Sequence, residues 1–211
     1  MERPELIFVT GCNAAGKSSL IRSHRGELPD YEVIMTDVYK GRSREVFKEG
    51  IRQRKCIILE TPFNDEGFKD LVDLANNAGY KSTLITLFLR SPAQSLDRVA
   101  NRRALENGLH ISSGNVEHNF IENLRNVSKY YAYFEESYFV YTGEVHRNQL
   151  IMRFEKERLV EYKANDLAYV QQFAEMAYYN QVLDKLELEI IATNKDFEIA
   201  ERIGSGKKFK I

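Results

Sequence analysis

The segment Gly11 to Ser18 reads GCNAAGKS, which meets the spacing GxxxxGK[ST] at every required position. Each residue type has a physical task in holding a polyphosphate. Gly11 and Gly16 allow backbone angles and a close approach that a side chain would block. The amides of Cys12, Asn13, Ala14 and Ala15 can then point inward and cradle phosphate oxygens. A helix expected to start near Lys17 adds the positive end of its dipole, with Ser19 in its first turn. Lys17 places a point charge on the β- and γ-phosphates, and the Ser18 hydroxyl is a magnesium ligand. The expected cofactors are ATP and Mg2+; the loop alone does not separate ATP from GTP. A similar stretch, Gly204 to Lys207 (GSGK), lacks the first glycine and a preceding strand, and reads as a helix cap and basic tail.

Two acids sit where strands are expected to end. Asp37 follows Glu32 to Thr36 (EVIMT), and Glu60 follows Cys56 to Leu59 (CIIL). Carboxyl ends of parallel strands face the ligand crevice. Asp37 can there bind an acceptor hydroxyl and take its proton; a turn cap is the plain alternative. Glu60 can hold magnesium through water or, with Thr61, grip the acceptor; a strand-end turn acid is the alternative. Arg98, Arg102 and Arg103 fall on one expected helix, and the first two, four apart, share a face. At least one of the three is expected to reach a transferring phosphoryl group, where helix arginines otherwise stay solvated. His110, in the loop beyond, is a further candidate for substrate binding, with an incidental loop histidine as the alternative. The aromatic residues from Tyr130 to Tyr141 have helical spacing and read as core packing.

These residues need a frame, and the first half of the chain supplies one by alternating strand and helix. Leu6 to Thr10, Glu32 to Thr36, Cys56 to Leu59 and Ser82 to Leu89 are short apolar runs, the pattern of buried parallel strands. Helices are expected over Ser43 to Arg54, Asp65 to Ala78 and Ala93 to Glu106. A long one follows from about Val116 to Ser137, with Val116, Phe120, Leu124, Val127, Tyr131 and Phe134 in one stripe. Tyr138 to Tyr141 reads as a fifth strand. The fold class is therefore α/β, a P-loop core with a parallel sheet flanked by helices. Gln149 to Phe154 and Arg158 to Lys163 suggest a hairpin, and Asp166 a cap for a helix through Phe173 and Ala177. Leu186 to Ile191 fits strand or helix. The organisation expected is a core over residues 1–145 and a C-terminal extension over 146–211, packed on or near it.

The 211 residues suit one α/β domain, and the formal net charge of -1 shows no basic surplus, so nucleic acid is not an expected partner. Cys12 and Cys56 lack CxxC spacing, which argues against zinc and disulfides. No apolar run approaches membrane-spanning length and no signal-peptide core precedes the first strand. A soluble, cytoplasmic protein is expected.

The order of these motifs resembles the zeta-toxin-like kinases over about Leu6 to Asn126. Members carry a loop like GPNGAGKST, matched by GCNAAGKSS, and an Asp after the second strand, matched by Asp37. An ETT-like stretch is matched in part by Glu60, Thr61 and Pro62. Ser91-Pro92 and Arg98-Val99 match a family segment leading to a Gly-Gly-His loop, for which Gly108-Leu109-His110 stands here. The family's next helix places an arginine pair on phosphate; His118 and Asn119 occupy those positions, with Arg125 a helical face away. A later Asp-Asn is replaced by Tyr141-Thr142-Gly143. The resemblance implies a kinase that moves the γ-phosphate of ATP to a small-molecule hydroxyl, with UDP-amino sugars as the family's acceptors. It implies Asp37 as the base and, since some members are toxins, an antitoxin-like protein partner. Two other readings stay open: a kinase for a nucleoside, other metabolite or polynucleotide end, and a non-catalytic nucleotide switch.

Overall fold

The structure, a computed structural model, describes residues 3–106, 111–144 and 147–199, and of residues 103–106 the backbone only. His110, Gly108, Leu109 and the GSGK stretch lie outside the described residues, as does the side chain of Arg103.

In chain order the elements are β1 (Glu5–Gly11), α1 (Lys17–His24), β2 (Glu32–Met35), α2 (Thr36–Tyr39), α3 (Ser43–Arg52) and β3 (Ile57–Thr61). Next come α4 (Lys69–Asn77), β4 (Lys81–Phe88), α5 (Pro92–Glu106), α6 (Ser113–Tyr130) and β5 (Glu136–Glu144). The chain ends with β6 (Arg147–Glu155), β7 (Arg158–Tyr162), α7 (Ala168–Tyr179), α8 (Lys185–Thr193) and β8 (Phe197–Glu198). One sheet has the order β2-β3-β1-β4-β5-β6-β7-β8. Its first five strands are parallel, and the last three join antiparallel. The apolar runs make this arrangement favourable: Leu6, Phe8, Ile57, Leu59, Leu84 and Ile85 are fully buried, as strands covered on both faces require. The helices cover them with amphipathic faces, α3 through Phe47 and Ile51, α4 through Leu71, Val72 and Ala75.

β1 lies between β3 and β4, while the chain leaves it for β2 at the far edge. Strand order therefore reverses at β1, and a crevice opens at the carboxyl ends of β1 and β3. The phosphate loop follows β1 at that crevice.

Two expectations change, and one open choice is decided. The long helix ends at Tyr130, not Ser137, and a 3-10 turn over Tyr131–Tyr133 leads into a β5 that begins at Glu136. Tyr131 still points inward, because its ring packs on Phe154 and Phe173. Asp166 pairs with exposed Arg90 instead of capping α7, whose N-cap is Leu167. Leu186 to Ile191 is helical, started by a capping box between Asp184 and Glu187. The hairpin expected after residue 146 extends the core's own sheet: Phe139 faces Met152 and Ser137 faces Phe154.

Candidate active site

Side chains engage the carbonyl groups of the loop between β1 and α1. Lys17 Nζ donates to the oxygens of Gly11 (2.9 Å) and Cys12 (3.0 Å). The buried Ser95 hydroxyl on α5 donates to Asn13 O at 2.7 Å. Arg98 Nη1 donates to Ala14 O at 3.4 Å. Thr142 Oγ1, on β5, donates to Ala15 O at 2.8 Å. Five successive carbonyls thus each meet a side-chain donor. Carbonyls engaged in this way leave loop amides to meet an anion, as in a nest, while the Ala15 amide bonds back to Cys12 O at 3.3 Å. Positive φ at Ala14 (55°) and Gly16 (93°) produces that turn. Gly11 answers a different need. It pairs with Leu87 of β4, and a Cβ on it would stand 2.1 Å from the Leu87 carbonyl oxygen.

Glu60 and Thr61 are the last residues of β3, level with Val9 and Thr10 of β1. Every residue of this strand is buried, Glu60 at 7% exposure included. Glu60 Oε1 accepts from Ser18 Oγ at 3.1 Å, and its Oε2 is buried without a hydrogen-bond partner. Burial pushes the Glu60 carboxyl above its ordinary range, opposed by Lys17 and the Ser18 bond. Burial likewise pulls the Lys17 ammonium below its ordinary range, against the attraction of Glu60, Cys12 and Asp37. Both groups gain from an added cation and anion, which a metal–phosphate pair would bring. Asp37 lies in the single turn of α2, exposed, and close enough for its charge to act on Lys17 and Glu60. Thr61 is fully buried and its Oγ1 accepts from Phe63 N, a turn within its own segment.

The arginines divide. At least one of the three was expected at the phosphoryl group; the guanidinium of Arg98 bridges Ala14 O and Thr142 O (2.6 Å to the latter) and so ties the loop to β5. The physical reason is proximity: Arg98 is one turn beyond Ser95 on the α5 face that packs on the loop. Exposed Arg102 acts by its charge on Lys17 and Glu60. Ser19 faces a cavity of about 380 Å³ beside α1, lined also by Gly16, Leu20, Ser23, Thr142 and Arg147. Cys12 is a buried free thiol, pushed up by desolvation.

Sequence reasoning missed Ser95, Thr142 and Asn119 as structural partners of the loop. Asn119 Nδ2 donates to Asn13 Oδ1 at 2.8 Å. For Ser95 a signal existed, since it stands three residues before Arg98 on the same helix. For Thr142 and Asn119 there was none, because only the fold brings them to the loop.

Sheet order and loop together define a P-loop kinase fold. No family model and no curated protein matches the sequence. Solved structures are similar to this fold. One belongs to the PezAT chromosomal toxin–antitoxin system of Streptococcus pneumoniae, 15% identical, covering 92% of this chain and 85% of that one with a TM-score of 0.51. Two others are of an AvrRxo1-ORF1:AvrRxo1-ORF2 complex, one with sulphate ions and one with ATP. Both are 11% identical and cover 93% of this chain and 78% of theirs, with TM-scores of 0.60 and 0.58. The fold is therefore that of the proteins the motif order resembles. Among the described residues no helix is long and apolar enough to cross a membrane.

Proposed function

We propose that this chain is an ATP-dependent phosphotransferase that moves the γ-phosphate to a hydroxyl of a small molecule, with a UDP-amino sugar as the first acceptor to try. The observation that carries the reading is the loop whose five successive carbonyls are each held by a side-chain donor, with the Lys17 ammonium and the Ser18–Glu60 pair beside it, an arrangement that supports one anion site. The polyphosphate lies over that loop, and the cavity beside α1 takes the nucleoside. Lys17 exchanges its loop carbonyls for β- and γ-phosphate oxygens.

Mg2+ fits the residues present. Ser18 Oγ offers a direct ligand, and the unpartnered Glu60 Oε2 offers an acceptor to a bound water. When bound, the ion neutralises charge on the β- and γ-oxygens. Asp37 accepts the proton of the acceptor hydroxyl as its oxygen bonds to the γ-phosphorus; the bond from that phosphorus to the β-bridging oxygen breaks and ADP leaves. Arg102, with Arg103 beside it in sequence, supplies positive charge to the transferred group, while Arg98 holds the loop. His110 is assigned to the acceptor side, and Thr61, buried, shapes the turn that borders it.

Two of the similar structures come from an ORF1:ORF2 complex and one from a toxin–antitoxin system. That supports an antitoxin-like protein partner for this chain as well. GTP in place of ATP, and a nucleoside or polynucleotide end as acceptor, are outcomes of the same experiment. In it, nucleotide binding is titrated with Mg2+ for the wild type, Lys17→Ala and Asp37→Ala, and transfer is followed in parallel. Lys17→Ala should lose binding, while Asp37→Ala should bind nucleotide and transfer nothing. Near-full transfer by Asp37→Ala would remove the base assignment.

A further inference from the structure

The face of α6 that meets the site carries amides at Asn119, Asn123 and Asn126, spaced four and three apart and so on one side of the helix. Asn123 is 1% exposed, and its Nδ2 donates to Thr10 Oγ1 at 2.8 Å and to Pro62 O at 2.7 Å. Asn126, also 1% exposed, donates from Nδ2 to Phe63 O at 2.9 Å. Asn119 takes part in a chain of amides: Asn64 Nδ2 donates to Asn119 Oδ1 at 2.6 Å, and Asn119 Nδ2 donates to Asn13 Oδ1 at 2.8 Å. One helix thus binds both the phosphate-loop strand, through Thr10 and Asn13, and the exit of β3, through Pro62, Phe63 and Asn64.

That exit is strained. Phe63 is fully buried yet adopts a φ of 49°, a left-handed conformation that a bulky residue avoids. Such conformations persist where surroundings over-determine them, and they cluster at ligand sites. Here the Phe63 ring packs on Phe8, and the carbonyls of Pro62 and Phe63 are each held by an α6 amide. Glu60 and Thr61 immediately precede this turn.

The three-amide chain has a direction. Backbone carbonyls fix the orientation of Asn123 and Asn126, but among the described residues the side chains of Asn64, Asn119 and Asn13 bond to one another, so they turn together. A phosphate on the loop favours Asn13 with its NH2 group towards the anion and Oδ1 towards Asn119. With that choice Asn119 donates to Asn13 and accepts from Asn64, so one side chain joins the loop to the exit of β3.

We propose that Asn119 is a positioning residue which passes the state of the phosphate loop to the segment following Glu60 and Thr61, so that nucleotide orders the acceptor side of the site. The proposal rests on the phosphotransferase reading above. It assigns a task to a position where the resembling family has a phosphate-binding arginine, and it does so by a contact to the loop instead of to the phosphate.

The test is hydrogen exchange of residues 63–67 with and without Mg2+ and a non-hydrolysable ATP analogue. In the wild type, the analogue should slow exchange of these amides about tenfold, the effect of one to two net hydrogen bonds. Asn119→Ala and Asn119→Ser should bind the analogue within about threefold of wild type, since the Asn119 amide bonds to the side chains of Asn13 and Asn64, and should lose most of that slowing. Serine keeps a polar group but cannot span both partners, so it guards against a packing defect of the alanine variant. Asn64→Ala should lose as much, and the double variant Asn64→Ala with Asn119→Ala no more than either alone. A merely structural Asn119 would speed exchange in both states and leave the nucleotide-dependent difference intact; that result, or additive losses, overturns the proposal. A wild type that binds no nucleotide overturns both this and the phosphotransferase reading. Intact relay behaviour with no acceptor phosphorylated overturns the transfer reading alone.

Discussion

Gly11 and Gly16 look alike in the motif but are required for different reasons, and the difference predicts unequal effects of the same substitution. At Gly16 an added methyl meets no atom within 4 Å, so only the φ of 93° opposes Gly16→Ala. A left-handed alanine costs about 1–2 kcal/mol. In a chain of this length that lowers Tm by about 2–8 °C. At Gly11 the φ is 147°, and the methyl carbon would lie 2.1 Å from the Leu87 carbonyl oxygen, a backbone atom of the adjoining strand. Carbon–oxygen contacts settle at about 3.3 Å or more, so β1 and β4 would have to part by about 1 Å at the sheet's centre. Parting strands whose spacing is fixed by their hydrogen bonds breaks the ladder at that point. Gly11→Ala should therefore lose more than about 4 kcal/mol, in the range reserved for core disruption. Urea unfolding of both variants, followed by circular dichroism, gives the comparison. If Gly11→Ala is as stable as Gly16→Ala, the close approach does not govern that position and the reasoning fails.

Ala14 holds a φ of 55° where the resembling family has glycine, so Ala14→Gly should relieve about 1 kcal/mol and raise Tm by about 2–4 °C in a thermal melt. Arg98→Ala leaves Ala14 O and Thr142 O without their charged donor, and nucleotide affinity measured by calorimetry should fall about tenfold or more; Arg98→Lys, unable to bridge both carbonyls, should not restore it. Because the Glu60 carboxyl is raised, the folded protein holds that proton more tightly than the unfolded chain. This contribution to stability is fully present below the unfolded value and is lost as pH rises through the folded one. Urea unfolding from pH 4 to 8 should show wild type losing stability relative to Glu60→Gln as pH rises. The same variant should lose part of the gain in nucleotide affinity that Mg2+ gives.

The parts of the site that sequence made legible are local. GCNAAGKS declares its loop in eight consecutive residues, and the strand before it and helix after it are where their patterns put them. The parallel order of the first strands followed from alternating apolar runs and amphipathic helices. What was not legible depends on distant pairs. Thr142 reaches Ala15 from 127 positions away, and Asn119 reaches Asn13 from 106. Helical periodicity also ran past the true end of α6, because Tyr131 and Phe134 stay buried through a tight turn and keep the stripe going. Arg98 shows a further limit: spacing placed it on the face of α5 that meets the loop, but not on which side of the loop its charge would act.

The most direct test of the central claim is the fate of the γ-phosphate. ATP labelled in that phosphate would be incubated with Mg2+, the protein and, in separate reactions, UDP-amino sugars, nucleosides and short oligonucleotides. The account predicts label on a hydroxyl of one small-molecule acceptor, absent with Lys17→Ala and with Asp37→Ala. Label that reaches no acceptor, together with nucleotide binding that does not depend on Lys17, would contradict it.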